Sequence, residues 1–333
     1  MTSIAKPPVR HPALHKNALG LTRRDYEGAM STLCAGCGHD SITAALTQAM
    51  FELDVPPHRV AKLSGIGCSS KTTAYLLRQS HGFNSVHGRM PSIATGANAA
   101  NRDLTFLGIS GDGDSLSIGL GQLCHAIRRN VRMLYVLENN GVYGLTKGQF
   151  SASADLGSTM KGGEPNAQPP IDPVLLALTL GATFVARSFS GDKAQLIPLL
   201  KAGLRHQGFG LIDVISPCVS FNDHEGSTKS YKFTREHQQE IAPVDFVPLR
   251  SEIRAASVPD ATVSVTLHDG SVVRLRQTGE GYDPRDRDAA YAHVRAAQEK
   301  GEVVTGLVYI HEDTADMHAL NKTTGTPLVD LPY

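Results

Sequence analysis

The sequence has no excess of either charge: Lys plus Arg and Asp plus Glu each number 32 in 333 residues, which gives no global electrostatic case for nucleic acid. No apolar run approaches the roughly 20 residues a membrane-spanning helix needs. The opening Met1-Thr-Ser-Ile-Ala-Lys-Pro-Pro lacks the apolar core of a signal peptide. Cysteines number five, an odd count that does not read as a disulfide framework, so a cytoplasmic, reducing setting is expected. Repeats and low-complexity tracts are missing. So is a G-x-x-x-x-G-K-[ST] phosphate loop, and Gly65-Ile66-Gly67 lacks the third glycine of a dinucleotide fingerprint. The length is enough for a substantial core and about two domains.

What is present centres on residues 104 to 149. Leu104–Ser110 is apolar enough for a buried strand and breaks at Gly111-Asp112-Gly113-Asp114. Leu116, Leu120, Leu123 and Ile127 then recur at helical spacing. Met133–Leu137 reads as a second strand, ending in Glu138-Asn139-Asn140-Gly141. In open parallel sheets ligands bind at that edge of the strands. Backbone N–H groups at a helix start can receive a diphosphate, and Asp112 with the Asn140 amide oxygen offers magnesium the hard oxygen ligands it prefers. A lone G-D-G is more often a plain turn. Here, however, the spacing of Gly111-Asp112-Gly113 to Asn139-Asn140 resembles the thiamine-diphosphate signature, in which a carbonyl two residues on (Val142) completes the protein ligands.

The rest of the chain alternates strand and helix from about 40 to 218, the pattern of an α/β, doubly wound parallel sheet. Asp40 reads as an N-cap and Asp172-Pro173 as a helix start. A helix over 192–206 is expected to be interrupted near Pro198. The polar stretch from 150 to about 170 reads as a long functional loop. The expected organisation is an N-terminal arm (1–30), a cofactor-binding domain (31–243), and a C-terminal extension (244–333) given to packing or subunit contact. That extension holds a hairpin turning at Asp269-Gly270, a helix near 285–299 and a strand near 303–310.

Four cysteines share a setting. Cys34 and Cys37 form a C-x-x-C pair, Cys68 sits in the Gly-rich turn Ser64–Lys71, and Cys218 follows Ser216-Pro217. Converging loop thiolates make either a structural zinc site or a 4Fe–4S cluster, and spacing alone leaves both open beside coincidence. A thioredoxin-type redox pair fits less well. Cys124 lies inside a helix, where a free cysteine is usually a small core residue.

Taken together, C-A-G-C-G-H, G-I-G-C-S-S-K, H-G-R, G-D-G-D with N-N-G-V-Y-G-L-T-K-G-Q, and S-P-C resemble the β subunit of a 2-oxoacid:ferredoxin oxidoreductase over about residues 30 to 235. The resemblance implies thiamine diphosphate, Mg2+ and a 4Fe–4S cluster, with coenzyme A as co-substrate. It implies cluster ligation by Cys34, Cys37, Cys68 and Cys218, and magnesium on Asp112, Asn140 and Val142. Ile66, Gly67, Cys68, Ser69, His87, Gly113, Asp114, Asn140, Val142, Gly144 and Leu145 would then line the cofactor. Lys71, His87 and Lys147 would serve the reacting centre, the two lysines reading substrate carboxylates. L-T-K-G-Q, A-R-S-F-S-G-D and the run after Ile215 resemble the 2-oxoglutarate-using members, whose second substrate carboxylate gives a physical reason for an extra cation. The implied partners are an α (or fused γα) subunit, which supplies the carboxylate for the aminopyrimidine, and ferredoxin, in an (αβ)2 heterotetramer. Two departures stand out: Leu33-Cys34-Ala35-Gly36-Cys37 replaces the usual Trp-Cys-Pro-Gly-Cys, and Ala97-Asn98 follows A-T-G where many members have Lys. The alternatives are a pyruvate or broad-range 2-oxoacid enzyme, or a non-catalytic, zinc-stapled α/β binding module.

Overall fold

The computed structural model describes residues 11–159, 163–242, 244–247, 262–276 and 282–332. Residues 1–10 of the expected arm, with 248–261 and 277–281 of the expected extension, lie outside the described residues. The strands are β1 (Val60–Ser64), β2 (His81–Asn84), β3 (Thr105–Gly111), β4 (Met133–Asn139), β5 (Val142–Tyr143), β6 (Gln149–Phe150), β7 (Phe184–Phe189), β8 (Phe209–Ile215), β9 (Gln238–Ala242), β10 (Val244–Val247), β11 (Thr262–Thr266), β12 (Val272–Arg276) and β13 (Val303–Ile310). Eight of them build one sheet in the order β2-β1-β3-β4-β8-β7-β13-β9.

The apolar runs become interior strands because both faces of the sheet are covered. Along β4, Leu134 and Val136 enter one core with Ile42, Leu46 and Met50 of the helix Gly38–Glu52 and Leu199 of the helix Lys193–Arg205. Met133, Tyr135 and Leu137 alternate into the other, against Met90, Leu123 and Val174. In-register pairing of Gly111 with Glu138 and of Asn139 with Ile215 then brings the ends of β3, β4 and β8 to one edge. The chain order reverses between β1 and β3, the crevice where doubly wound sheets bind ligands.

Four expectations are corrected. The strand Val303–Ile310 does not sit in a separate extension: it lies inside the main sheet, antiparallel to β7 and parallel to β9, so that sheet is mixed. Val304, Leu307, Val308 and Ile310 are all buried, the pattern of an interior strand. The β10–β12 sheet likewise packs Phe246, Val265 and Val273 into the first core. The helix Lys193–Arg205 runs through Pro198 unbroken. A mid-helix proline costs about 3 kcal/mol, and three fully buried leucines around it (Leu196, Leu199, Leu200) offset that. Asp40 is not the N-cap: the helix begins at Gly38 after Cys37, leaving Asp40 in the first turn, where its charge still suits the dipole. The helix after Asp112 opens as a wide π turn, Gly113–Ile118, with Gly119 N–H donating to the Asp114 carbonyl at 2.8 Å, before an α-helix from Leu120.

Residues 15–29 reach the body of the chain at several points. Tyr26 is fully buried, and Gly28 and Ala29 donate to the Tyr75 and Ala74 carbonyls.

Candidate functional site

The turns at the carboxyl ends of β1, β3, β4 and β8 form one polar edge. Asp112 is 1% exposed, and Gly141 N–H (2.9 Å), the Ser153 hydroxyl (2.6 Å) and the Ser151 hydroxyl all donate to its Oδ2. Burial raises its pKa despite the two serines, so a cation here would relieve a cost that hydrogen bonds alone do not remove. The Gly141 bond pulls the Asn140 turn onto Asp112. Asn140 is itself fixed by Val142 N–H donating to its Oδ1 (3.0 Å) and by Asn222 donating to its carbonyl (2.8 Å). Gly141 has φ +75°, and a Cβ there would lie 2.7 Å from the Asn222 amide.

Gly113 admits the Tyr143 ring, which would sit 2.4 Å from a Cβ at that position, and Tyr143 donates to the Gly113 carbonyl at 2.9 Å. The Asp114 side chain serves the turn itself: Gly88 N–H donates to Oδ1 at 2.7 Å and Ser110 to Oδ2 at 2.8 Å, which ties the H-G-R loop to the end of β3. Ser69 lies against Gly111, where a Cβ would come within 3.1 Å of its Oγ. Ile66, Gly67 and Cys68 are half-buried in the same turn. His87 and Leu145 are exposed.

Four cysteines close on the same edge. Cys37 N–H donates to the Cys34 carbonyl (3.0 Å), and Gly38 N–H donates to the Pro217 carbonyl (3.2 Å). Gly38 has to be small, since a Cβ would meet Ser216 Oγ at 2.5 Å. A Cβ on Gly144 would stand 3.5 Å from Cys218 Sγ and 3.6 Å from Cys68 Sγ, so both sulfurs border one point of the β5–β6 turn. Ser220 donates to Cys34 Sγ at 3.4 Å. Burial pushes the Cys37 thiol up to about 12, with the charges of Glu138, Cys218 and Cys68 adding. Burial and then Cys218 raise Cys68, while Lys71 opposes; burial also raises Cys218. Among the described residues, no three His, Cys, Asp or Glu side chains group closely enough to hold a single ion. A carboxylate–amide–carbonyl site such as Asp112, Asn140 and Val142 would not form such a group.

Lys71 is half-buried and Lys147 exposed, and neither is ion-paired among the described residues. Lys147 has φ +80°, the left-handed region, in the turn closed by Gly148 N–H on the Tyr143 carbonyl (2.9 Å).

Sequence reasoning missed several polar partners. Glu138 is fully buried beneath the cysteines, accepts from the Thr72 hydroxyl at 3.1 Å and lies 3.7 Å from His39 Nδ1. Burial holds its carboxyl well above the usual range and lowers His39 to about 4. His39 Nδ1 and Ser216 Oγ share a 2.6 Å hydrogen bond. From Ser153 a chain of contacts runs through Asn139 (2.9 Å) to Asp213 (3.0 Å), then Arg187 (2.7 Å) and Asp172 (2.8 Å). Burial opposes ionisation of Asp172, but Arg187 outweighs it and holds that carboxyl low. An acid inside an otherwise apolar strand was the available signal for Glu138.

The family model of the thiamine pyrophosphate enzyme C-terminal, TPP-binding domain matches residues 65–214. The 2-oxoacid:ferredoxin oxidoreductase subunit beta of Saccharolobus solfataricus is 40% identical over 211 residues, 63% of this chain and 68% of that one. The 2-oxoglutarate oxidoreductase subunit KorB of Mycobacterium tuberculosis is 41% identical over 220 residues, 64% of this chain and 58% of the relative. A solved structure of 2-oxoglutarate:ferredoxin oxidoreductase from Magnetococcus marinus, with 2-oxoglutarate, coenzyme A and succinyl-CoA bound, superposes with a TM-score of 0.74 at 31% identity, covering 93% of this chain and 92% of that one. With the glycine-framed acid and amide turns on one sheet edge, these likenesses show that the chain belongs to the β subunits of the 2-oxoacid:ferredoxin oxidoreductases.

Proposed function

We propose that this chain is the thiamine-diphosphate-binding subunit of a 2-oxoglutarate:ferredoxin oxidoreductase. It would convert a 2-oxoacid and coenzyme A to acyl-CoA and CO2 and pass electrons through a 4Fe–4S cluster to ferredoxin, in the cytoplasm. The observation that carries this reading is the convergence on one edge of the buried Asp112–Asn140 pair and the Cys34, Cys37, Cys68 and Cys218 turns.

In this reading Asp112, anchored through Oδ2, would hold magnesium together with Asn140 and the Val142 carbonyl. The wide turn after Asp112 offers backbone N–H groups to the diphosphate. Bound there, thiamine diphosphate supplies the electron sink for decarboxylation. Ser151 and Ser153 fix the carboxylate's orientation, as outer partners of metal ligands do. The thiols of Cys37, Cys68 and Cys218, protonated by burial, lose their protons on ligation. One zinc at about 2.3 Å from each thiolate would draw the sulfurs to within about 4 Å of one another. Metal analysis of the anaerobic assembly separates that case from a 4Fe–4S cluster.

The second substrate carboxylate is assigned to Lys147, with Lys71 beside the cysteine turn. Left-handed backbone costs a side-chain-bearing residue about 1–2 kcal/mol, so Lys147 occupies a position whose geometry favours glycine. A cation kept there is what a dicarboxylate substrate explains. The deciding experiment assembles the chain anaerobically with its α subunit and follows ferredoxin reduction dependent on 2-oxoglutarate, coenzyme A, magnesium and thiamine diphosphate. A preference for pyruvate would select the alternative substrate. An absence of magnesium-dependent thiamine diphosphate binding would leave only the scaffold reading.

A further inference from the structure

The opposite edge of the sheet carries a second concave site. A cavity of about 260 Å³ opens where β1, β3, β4 and β8 begin, and its wall includes Arg59, Arg102, Arg132 and His206. Arg59 directly precedes β1, Arg102 lies just ahead of β3, and Arg132 directly precedes β4; His206 follows the helix Lys193–Arg205 into β8. Parallel pairing of these strands sets the three arginine-bearing turns side by side. β3 and β4 are seven residues each, so the cavity is about 20 Å from the Asp112 and Asn140 turns at the strands' other ends.

Several features mark it as built for an anion. The whole chain is charge-balanced, yet this wall holds three guanidinium groups against one carboxylate, Asp103. Among the described residues none of the three arginines is ion-paired. Two of their backbones are pinned: Asn98, itself fully buried, donates to the Arg132 carbonyl (3.0 Å), and Arg59 N–H donates to the Pro56 carbonyl (2.9 Å). Arg102 and Arg132 both lie within electrostatic reach of His318, whose pKa is lowered by burial and, against Asp316, by their charges. A separate observation comes from His206, which is 5% exposed and shares its Nε2 with the Thr183 hydroxyl (2.8 Å), while its Nδ1 is buried with no hydrogen-bond partner. That nitrogen has no exposed surface in the cavity wall, so the contacts an anion would find there are those of the three guanidinium groups.

We propose that this cavity binds phosphate or a phosphate monoester, held by Arg59, Arg102 and Arg132 on the edge of the sheet remote from the thiamine diphosphate turns. The fork of each guanidinium matches a phosphate edge, and a tetrahedral dianion offers oxygens to three forks at once, where a carboxylate offers two oxygens in one plane. The helix ends on this edge are carbonyl ends, so the arginines also cancel negative dipole charge that would otherwise repel the ligand.

The test uses the purified assembly, already saturated with magnesium and thiamine diphosphate so that the catalytic edge takes no further phosphate. Calorimetric titration with inorganic phosphate and with AMP, at ionic strength fixed with KCl, is expected to show one saturable site per chain. Arg102→Gln/Arg132→Gln should weaken it at least tenfold with thiamine diphosphate affinity unchanged, and Arg59→Gln alone should weaken it measurably. Tighter binding of AMP than of phosphate identifies a monoester ligand, and the reverse identifies free phosphate. No saturable binding of either probe, equal affinity in the double variant, or adenosine binding as well as AMP would each overturn the proposal.

Discussion

Replacing Lys147 by glycine separates what that residue does for the fold from what it does for the substrate. At φ +80° the backbone of Lys147 is in the left-handed region, which costs an L-residue about 1–2 kcal/mol. Glycine removes that strain but adds about 0.5–1 kcal/mol of unfolded-chain freedom. The Lys147→Gly chain should therefore be between equal to and about 1.5 kcal/mol more stable than the parent, read by urea unfolding. The side chain is exposed and free of ion pairs among the described residues, so no structural bond is lost. A charge-assisted bond from it to a second substrate carboxylate would be worth about 1.5–3 kcal/mol in the transition state. That predicts a fall of roughly 10- to 150-fold in kcat/KM for 2-oxoglutarate, with pyruvate turnover unchanged. Lys147→Ala should lose the same selectivity without the gain in stability, because alanine keeps the strain. An unchanged ratio of 2-oxoglutarate to pyruvate kcat/KM in both variants would refute the reasoning, as would a glycine variant clearly less stable than the alanine one.

Other predictions concern the metal turn, the packing under it and a buried amine. Ser153→Ala removes a 2.6 Å donor to Asp112 and should weaken magnesium-dependent thiamine diphosphate binding about 10-fold, against 100-fold or more for Asp112→Asn, both by calorimetry. Gly65→Ala places a Cβ 2.3 Å from both Asp114 Oδ2 and Ser110 Oγ, and should cost about 1–3 kcal/mol in urea unfolding while Gly67→Ala meets no neighbour and acts only through its φ of +79°. Lys62 is buried, donates to the Leu76 and Leu77 carbonyls (2.6 and 2.8 Å), and burial lowers its pKa to about 8. Above pH 8 the folded chain releases this proton before the unfolded chain does, so stability rises with pH up to about 10.5. Relative to Lys62→Met, the parent should gain up to about 3 kcal/mol over that window; a flat difference would contradict the assignment.

Much of this architecture was legible in the sequence because strands buried on both faces read as unbroken apolar runs, and because turns that must pass close to other backbone show as glycines. Gly38, Gly113 and Gly141 are examples: each would clash if it carried a Cβ. The cysteines were legible as a set only through their shared turn setting. What stayed hidden depends on contacts far apart in the chain. Ser151 and Ser153 are ordinary loop residues until β5 and β6 fold back and aim them at Asp112. His39 and Ser216 are 177 positions apart, and nothing local joins them. The Val303–Ile310 strand was recognised, but its place between β7 and β9 is decided by tertiary packing rather than by its own pattern.

The proposed function requires that four thiols at the sheet edge hold iron and inorganic sulfide beside the Asp112–Asn140 turn. Anaerobic purification followed by iron, sulfide and zinc analysis of the chain tests it most directly. The account predicts four irons and four sulfides per chain, falling sharply in Cys218→Ala while thiamine diphosphate still binds. One zinc per chain, without sulfide and unchanged on loss of Cys218, would contradict it.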